Sequence, residues 1–405
     1  MLTRRGCCRS TAIPMLATAM LAVAMLAAGC SAEPCDAVTT TAAADVTDYR
    51  GDLARTGRMP GPAPTGAVRV LWRFTGPSPV TLPPAVVAHQ VLVPGDRSLM
   101  ALDLATGATT WSIDLGATLN APVTVASGTA YATTADGVTH AIDLRRQQER
   151  WRFAGAADGA QVSLVDGTIY LGSRQRDLVA LDPADGSRRW AVHIGHNVSR
   201  NAIAHGQAYV GGEGSGLLTA VDLRRQRIAW SYDTGADRIV TPVVDQGTVY
   251  VAGVAAAGLA GRGTNLSALD AQSGARKWTF APPHDPPMSS FAVGDRDVYI
   301  GTDVGPGTLY AVARQTGAVT WQRPVPGPVD RPALVGDTVY VASGQGGLLA
   351  LDTGTGRQRW AGTVDGYAEG VVLTGGLAVV ASRDATDAPG TVTAFTDDSR
   401  TARCG

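Results

Sequence analysis

Hydrophobic positions in this chain alternate with polar ones in short runs that recur at a nearly constant distance. Runs such as TAYATTADG, TIYLGSRQR and TVYVASGQ contain a central Tyr, and shorter apolar runs such as APVTVASG and RPALVGD precede them. Period-two alternation with turn residues about every 8–12 positions is typical of β-strands and not of helices. The pattern therefore predicts an all-β fold.

Eight tryptophans mark one place in a repeated unit. Seven of them close a shared phrase, as in ALDLATGATTW (101–111) and ALDTGTGRQRW (350–360), and the eight are spaced by 39, 40, 39, 40, 48, 43 and 39 residues. The tryptophans are Trp72, Trp111, Trp151, Trp190, Trp230, Trp278, Trp321 and Trp360. Each unit offers one strand before the Tyr, one around it, one ending at the aspartate and one holding the Trp. A period near 40 with four strands predicts β-propeller blades.

The two ends of the repeat array complete each other. Trp72 lies in VRVLWRF with no Ala-Leu-Asp phrase before it, whereas TAFT (393–396) resembles that phrase but has no tryptophan after it. We therefore predict that the N-terminal strand 68–74 forms the outer strand of the last blade. The result is a closed, eight-bladed β-propeller of four-stranded blades, which removes the unpaired edges of an open sheet.

The repeated polar and aromatic residues have a structural interpretation. The aspartate can accept hydrogen bonds from turn amides, the glycine supplies a positive φ, and the indole covers apolar area between neighbouring blades. The aspartates are Asp103, Asp143, Asp182, Asp222, Asp270 and Asp352. Stacking of one indole on a cofactor is the alternative interpretation of a single tryptophan.

Composition excludes two broad classes of protein. With 45% hydrophobic residues, 17% charged residues and a net charge of -1, the chain is neither a disordered protein nor a strongly basic nucleic-acid binder. Lys277 is the one lysine among 34 basic residues, and Ala and Gly are abundant. This bias indicates a GC-rich genome, such as that of an actinobacterium.

The first thirty residues have the pattern of an export signal. Arg4, Arg5 and Arg9 precede an uncharged stretch, 11–29, that ends in small residues. Cys30 directly after Ala-Gly resembles the bacterial lipobox, although Ala27 stands where that motif usually has Leu. The resemblance implies a signal peptide over 1–29, a diacylglyceryl group on Cys30 and a tether over 30–50. An uncleaved membrane anchor or plain secretion is the alternative.

Two cysteines remain after the signal and the lipidation site are set aside. Cys7 and Cys8 leave with the signal peptide, and Cys30 carries lipid, so Cys35 and Cys404 are left at opposite ends of the mature chain. Because export permits disulfides, we expect Cys35 and Cys404 to bond. Two free thiols in the terminal segments are the alternative. The propeller domain is expected over 51–405.

The repeated phrase resembles a known family. A-x-D-x-x-T-G-x-x-x-W is similar to the tryptophan-docking motif of pyrroloquinoline-quinone (PQQ) propellers, and RGDLARTG (50–57) with Trp72 resembles the start of PQQ-like repeat proteins. The resemblance covers about residues 48–398 and implies an eight-bladed propeller. One branch of the family holds quinone and Ca²⁺ and oxidises alcohols or sugars. The other is non-catalytic and includes BamB-type lipoproteins and sensor ectodomains.

The residues favour the non-catalytic branch. The dehydrogenases carry a vicinal Cys pair against the quinone, whereas the vicinal pair of this chain, Cys7-Cys8, lies in the signal. The acidic residues also do not form the cluster of carboxylates that Ca²⁺ requires. His193 and His196 could meet a metal, although a surface turn is the simpler interpretation. We therefore expect no PQQ, no other cofactor and no metal.

The loops between the second and third strands of the blades are the expected binding region, because loops on a rigid scaffold commonly carry binding. Four arginines in or near them are candidate partner-binding residues: Arg174, Arg176, Arg262 and Arg383. An ordinary solvated rim is the alternative. We expect a monomeric, non-enzymatic protein-binding scaffold, anchored by lipid to the outer face of the cytoplasmic membrane, with cell-envelope partners and no nucleic acid. A quinoprotein dehydrogenase and a ligand-sensing ectodomain are the alternatives.

Overall fold

The computed structural model describes residues 43–255, 264–283, 288–302, 306–383 and 389–398. It contains eight antiparallel sheets that follow one another around a ring, and a 3-10 turn at Tyr49–Gly51. The predictions of an all-β fold and of eight blades are therefore confirmed. None of the helical segments in these ranges has the length and hydropathy needed to cross a bilayer.

Each blade runs from an innermost strand to an outermost strand in chain order. The last blade is the exception, because its outermost strand comes from the N-terminal end of the chain. The strands are β1 (Val68–Thr75); blade one, β2 (Ala85–Val87), β3 (Gln90–Pro94), β4 (Ser98–Asp103), β5 (Thr109–Asp114); blade two, β6 (Thr124–Ala126), β7 (Thr129–Thr133), β8 (Val138–Asp143), β9 (Gln148–Ala154); blade three, β10 (Ser163–Val165), β11 (Thr168–Gly172), β12 (Asp177–Leu181), β13 (Arg188–His193); blade four, β14 (Arg200–Ala204), β15 (Gln207–Gly212), β16 (Ser215–Asp222), β17 (Arg227–Asp233); blade five, β18 (Arg238–Ile239), β19 (Val243–Asp245), β20 (Thr248–Val254), β21 (Asn265–Asp270), β22 (Arg276–Phe280); blade six, β23 (Met288–Val293), β24 (Asp297–Thr302), β25 (Gly307–Ala313), β26 (Val319–Val325); blade seven, β27 (Val329–Val335), β28 (Thr338–Ser343), β29 (Gly347–Asp352), β30 (Gln358–Thr363); and blade eight, β31 (Tyr367–Thr374), β32 (Leu377–Arg383) and β33 (Thr391–Asp397).

The N-terminal strand closes the ring. β1 pairs antiparallel with β33, with Trp72 opposite Ala394, so the last sheet has the order β1-β33-β32-β31. The predicted completion of the last blade by strand 68–74 is thus confirmed. Blade five differs from the four-stranded pattern, because the short strands β18 and β19 both pair with β20.

The hydrophobic core is divided among the seams between blades. Eight buried apolar clusters occur in the described residues, and each one joins two neighbouring blades. At the seam between blades five and six, for example, Tyr250 and Trp278 pack with Phe291 and Ile300. Alternating strands make this possible, because one face of every sheet meets the preceding blade and the other face meets the next.

Antiparallel connections give the ring two distinct ends. We call the end with the connections between second and third strands the loop face, and the end with the tight turns between first and second and between third and fourth strands the turn face. Arg174 and Arg176 lie on the loop face between β11 and β12, and Arg383 ends β32 on the same face. Cys30, Cys35, Cys404, Arg262 and the signal 1–29 lie outside the described residues.

Candidate functional site

Each tryptophan lies on the outermost strand of its blade, and most of the indoles reach beyond that blade. Six indole N–H groups donate to a backbone carbonyl in the next blade or in the segment before β1. They are Trp72 to Leu104 (2.8 Å), Trp151 to Pro183 (2.9 Å), Trp230 to Ala271 (3.1 Å), Trp278 to Arg314 (2.7 Å), Trp321 to Thr353 (2.9 Å) and Trp360 to Pro64 (3.0 Å). Trp360 uses Pro64 because blade eight has no continuous turn between its third and fourth strands.

A glycine of the accepting turn lies directly beneath five of these indoles. A Cβ at Gly186 would stand 2.5 Å from an indole carbon of Trp151, which is closer than real Cβ contacts come. The equivalent glycines have φ values between 68° and 75°: Gly107, Gly186, Gly274, Gly317 and Gly356. The indole thus occupies space that only a glycine leaves open.

Blades two and four lack this arrangement. Gln147 and Gln226 hold the glycine's place at φ 55° and 52°, a region that glycine favours. The preceding indole of Trp111 donates to Gln90 Oε1 at 3.3 Å within its own blade. The Trp190 indole N–H has no hydrogen-bond partner in the part of the chain that the structure describes.

The repeated aspartates accept hydrogen bonds from the amides of their own turns. Asp103 Oδ1, for example, accepts from the N–H groups of Ala105 (3.1 Å) and Thr106 (2.9 Å). Hydrogen bonds within the turns and a nearby cation, which is Lys277 for Asp270 and an arginine for the others, hold the pKa of several of the carboxyls below its ordinary value: Asp143, Asp182, Asp222, Asp270 and Asp352. The pKa of Asp352 falls to about 2, chiefly through the hydrogen bond from Arg359.

Residues 46–61, the lead-in segment, run across the central channel near the turn face. Backbone hydrogen bonds join the segment to the innermost strands of seven blades, and Arg55 Nη2 reaches Ser163 Oγ (2.7 Å) in blade three. The backbone bonds are Val46 N to Val86 O (2.7 Å), Val125 N to Thr47 O (2.8 Å), Ile203 N to Leu53 O (2.9 Å), Val244 N to Ala54 O (2.9 Å), Val293 N to Thr56 O (2.8 Å), Leu334 N to Gly57 O (2.8 Å) and Gly61 N to Leu373 O (3.2 Å). One segment thereby contacts all eight blades.

Two buried arginines of the lead-in segment were not among the predicted site residues. Arg55 is fully buried and donates to the carbonyls of Tyr49 (2.9 Å) and Asn201 (3.2 Å). Arg50 is 5% exposed and donates to the carbonyls of Phe291 and Pro332. Arg50 at φ 66° and Arg55 at φ 65° both lie in the left-handed region. The one hint in the sequence is that each arginine lies beside or near a glycine in RGDLARTG.

The predicted loop residues fall into two groups. Arg174 and Arg176 line an open groove on the loop face, together with His196 and Glu213. Arg174 lies against Ala135 O (3.4 Å) of blade two. The groove spans the seam between blades three and four.

Arg383 lies apart from that groove, at the rim of the central channel. Its Nε donates to Glu369 Oε1, and its guanidinium lies 5.0 Å from the centre of the Tyr367 ring. Glu369 Oε2 also pairs with Arg331 Nη1 at 3.1 Å. Arg383 is therefore part of a charge cluster inside the ring, whereas Arg174 and Arg176 are exposed.

The two candidate metal-binding histidines have different hydrogen-bond partners. His193 Nδ1 lies 2.7 Å from Asp177 Oδ1, and the ring is largely exposed. His196 is buried, with Nε2 2.9 Å from Thr219 Oγ1, and burial lowers its pKa. Across the described ranges, no group of three or more His, Cys, Asp or Glu residues is placed to hold a metal ion.

The channel residues also suit a quinone–calcium centre poorly. Ca²⁺ takes roughly six to eight oxygen ligands, with carboxylates prominent. Asp48, however, lies 3.6 Å from Arg55 Nη1, and Asp330 and Glu369 both pair with Arg331. Carboxylates already facing guanidinium groups are poor cation ligands, so these three are poorly placed to bind Ca²⁺.

Comparisons with known proteins agree on the architecture. A family model described as outer membrane protein assembly factor BamB matches residues 63–206 and 191–401. The protein of that description from Yersinia pestis is 30% identical over 207 residues, which are 44% of this chain and 50% of the relative. The chain thus spans about half the length of this curated relative.

Other matches belong to different functional classes. A quinohemoprotein alcohol dehydrogenase from Comamonas testosteroni is 27% identical over 286 residues, 62% of this chain and 34% of that enzyme. The crystal structure of BamB from Moraxella catarrhalis aligns with a TM-score of 0.63 and 16% identity, covering 82% of this chain and 100% of that one. At that identity the structural match shows the fold alone, and the enzyme match leaves catalysis open.

Proposed function

Because the chain belongs to the family described as outer membrane protein assembly factor BamB, we propose that it is a non-enzymatic scaffold that binds other proteins of the cell envelope. The curated relatives matched over about half their length carry the name of an assembly factor, which describes protein association and not a chemical reaction. The preference for Arg over Lys and the abundance of Ala and Gly indicate a GC-rich genome, such as that of an actinobacterium, and we do not expect outer-membrane assembly machinery in such an organism. The proposed partners are therefore extracytoplasmic proteins near the cytoplasmic membrane.

The groove on the loop face is the observation that carries this proposal. It is open and lined by side chains of both charge signs, including Arg176 and Glu213. Polar and arginine-rich surfaces on rigid loops suit reversible protein contacts.

Lipid on Cys30 is the proposed anchor. Thirteen positions separate Cys30 from residue 43, where the described chain begins near blade one. At about 3.5 Å per residue, a chain of this length reaches at most roughly 45 Å when fully extended. Replacing Cys30 by Ala should move the protein from the membrane fraction to the soluble fraction, and unchanged retention would contradict the anchor.

Site-specific photo-crosslinking in intact cells tests the binding face. A photoreactive residue at Arg176 or Glu213 should yield a discrete adduct, identified by mass spectrometry. The matched control is Thr106, which is exposed on the turn face of blade one. Adducts that form equally from Thr106, or from none of the three positions, would refute the proposed face.

A quinoprotein dehydrogenase is the second candidate, because the alcohol dehydrogenase match covers 62% of this chain. The protein would be incubated with PQQ and Ca²⁺ and assayed by dye reduction across a panel of alcohols and sugars. The scaffold proposal predicts no turnover and no bound quinone absorbance after desalting. Turnover that requires both additions would replace the scaffold with an enzyme.

A further inference from the structure

The loop-face groove at the seam between blades three and four carries two guanidinium groups that no carboxylate of the described residues contacts. Both side chains are exposed, and their side-chain hydrogen bonds go to backbone carbonyls. Arg174 Nη2 donates to Ala135 O and Arg176 Nη1 donates to Gly195 O, each at 3.4 Å. Because a guanidinium can hold a carboxylate with two parallel hydrogen bonds, both arginines are available to an acidic group from outside.

The two carboxylates that line the same groove already have partners. Glu213 Oε1 pairs with Arg200 Nη2 at 2.9 Å, and Asp158 Oδ1 accepts from Asn120 Nδ2. The groove therefore offers unpaired positive charge, while its negative groups are engaged. Separate carboxylates on a ligand can pair with the arginines, whereas a polymer with an unbroken row of negative charges would be repelled by Glu213 and Asp158.

Packing across the seam with blade two fixes the position of Arg174. Its guanidinium lies over Gly137, where an added Cβ would stand 2.5 Å from the Cζ atom. Elsewhere in the groove, Gly195 and Gly214 face open space, since a Cβ at either would meet no atom within 4 Å. A peptide backbone can therefore approach the groove closely at both glycines.

We propose that this groove binds an extended acidic segment of the partner protein, with carboxylates of that segment on Arg174 and Arg176. The inference rests on the proposed scaffold function and names the chemistry of its partner. Opposite charges across an interface steer association and fix the register of the bound chain. The two arginines thus select the segment as well as hold it.

Charge reversal in a crosslinking experiment tests this chemistry. A photoreactive residue at Ser215, which lines the groove, leaves every charged side chain there in place. In that chain Arg176→Glu should reduce the adduct yield at least about tenfold, and Arg176→Lys, which keeps the charge, should retain more of it. Arg97→Glu is the matched control and should change nothing, because Arg97 is exposed on the loop face of blade one, outside the groove.

The outcomes separate this inference from the scaffold function. An adduct that persists in Arg176→Glu, or one that Arg97→Glu reduces equally, would overturn the acidic segment and leave the scaffold standing. No adduct from Ser215 in the otherwise unmodified chain would refute the binding face and the acidic segment together.

A charge swap tests the pairing itself. Mass spectrometry of the adduct should identify a peptide segment with net negative charge and an Asp or Glu near the attachment point. Replacing that acidic residue by Arg should raise the yield at least about fivefold in the Arg176→Glu chain, a gain that cannot come from misfolding. An adduct with a polymer or a lipid, a segment without acidic residues, or no gain from the swap would refute the proposal.

Discussion

The turn before the outermost strand takes two forms in this ring. The hydrogen bonding of the indole that faces the turn from the preceding blade differs between the two forms. In blade three the turn holds Gly186, and Trp151 of blade two lies over it and donates to Pro183 O at 2.9 Å. In blade four the same place holds Gln226, and Trp190 of blade three has no such bond among the described residues. The glycine therefore serves the neighbouring blade as well as its own turn.

The two forms nevertheless keep the same local turn. In the glycine-form turns of blades one, five and seven a hydroxyl holds the aspartate, as in Thr106 Oγ1 to Asp103 Oδ1 at 2.8 Å, whereas in blade three Arg189 reaches Asp182. In the glutamine form an arginine takes over that role, as in Arg225 Nη1 to Asp222 Oδ2 at 2.7 Å. Both sequences thus form the turn, but only the glycine form also accepts the indole of the preceding blade.

The largest expected effect comes from filling the space beneath an indole. Gly186→Ala should reduce the free energy of unfolding by about 2–4 kcal/mol, through left-handed strain and displacement of Trp151. Gly167→Ala is the matched control, because Gly167 has φ 66° and a Cβ added there would meet nothing within 4 Å. Urea denaturation of both variants measures the difference. Equal losses of unfolding free energy in the two variants would show that the contact with the indole adds nothing to the cost of the substitution.

Removing single indole N–H groups should distinguish bonded from unbonded seams. Trp151→Phe leaves Pro183 O without its donor, whereas Trp190→Phe removes no hydrogen bond in the described chain. We expect Trp151→Phe to cost about 1 kcal/mol more than Trp190→Phe in urea unfolding. A larger loss of unfolding free energy in Trp190→Phe than in Trp151→Phe would contradict this expectation.

Restoring glycine in the other turn form should be mildly favourable. Gln147→Gly relieves a non-glycine residue at φ 55° and should raise the free energy of unfolding by about 0.5–1 kcal/mol. Gln148→Gly, one position later in β9, serves as the control and should destabilise. A loss of stability in Gln147→Gly would mean that its side chain contributes more than the strain costs.

The smallest effect concerns pH. The hydrogen bond from Arg359 holds the pKa of Asp352 at about 2, below the ordinary 3.8, so the stability from this pair is present above pH 4 and is lost as the pH falls towards 2. Arg359→Gln should raise the Asp352 pKa in a carboxyl NMR titration and flatten the acid dependence of unfolding. An unchanged pKa would assign the shift to Thr355 and the turn amides.

The sequence predicted those features that recur and missed those that occur once. Tryptophans and aspartates at a near-constant distance revealed the blade count, and the incomplete phrases at each end revealed the closure of blade eight. The course of the lead-in segment could not be predicted, because Arg50 and Arg55 bind carbonyls of Phe291 and Asn201, more than a hundred residues away. Charge alone could not separate the exposed Arg176 from Arg383, which faces Glu369.

Solvent exchange of the eight indole N–H hydrogens tests the two-form comparison most directly. Nuclear magnetic resonance of protein labelled with ¹⁵N-tryptophan gives one signal per indole, assigned by single Trp→Phe variants. Slow exchange is predicted for the six indoles bonded to carbonyls, faster exchange for Trp111 and the fastest for Trp190. Equal protection of all eight, or stronger protection of Trp190 than of Trp151, would contradict the account.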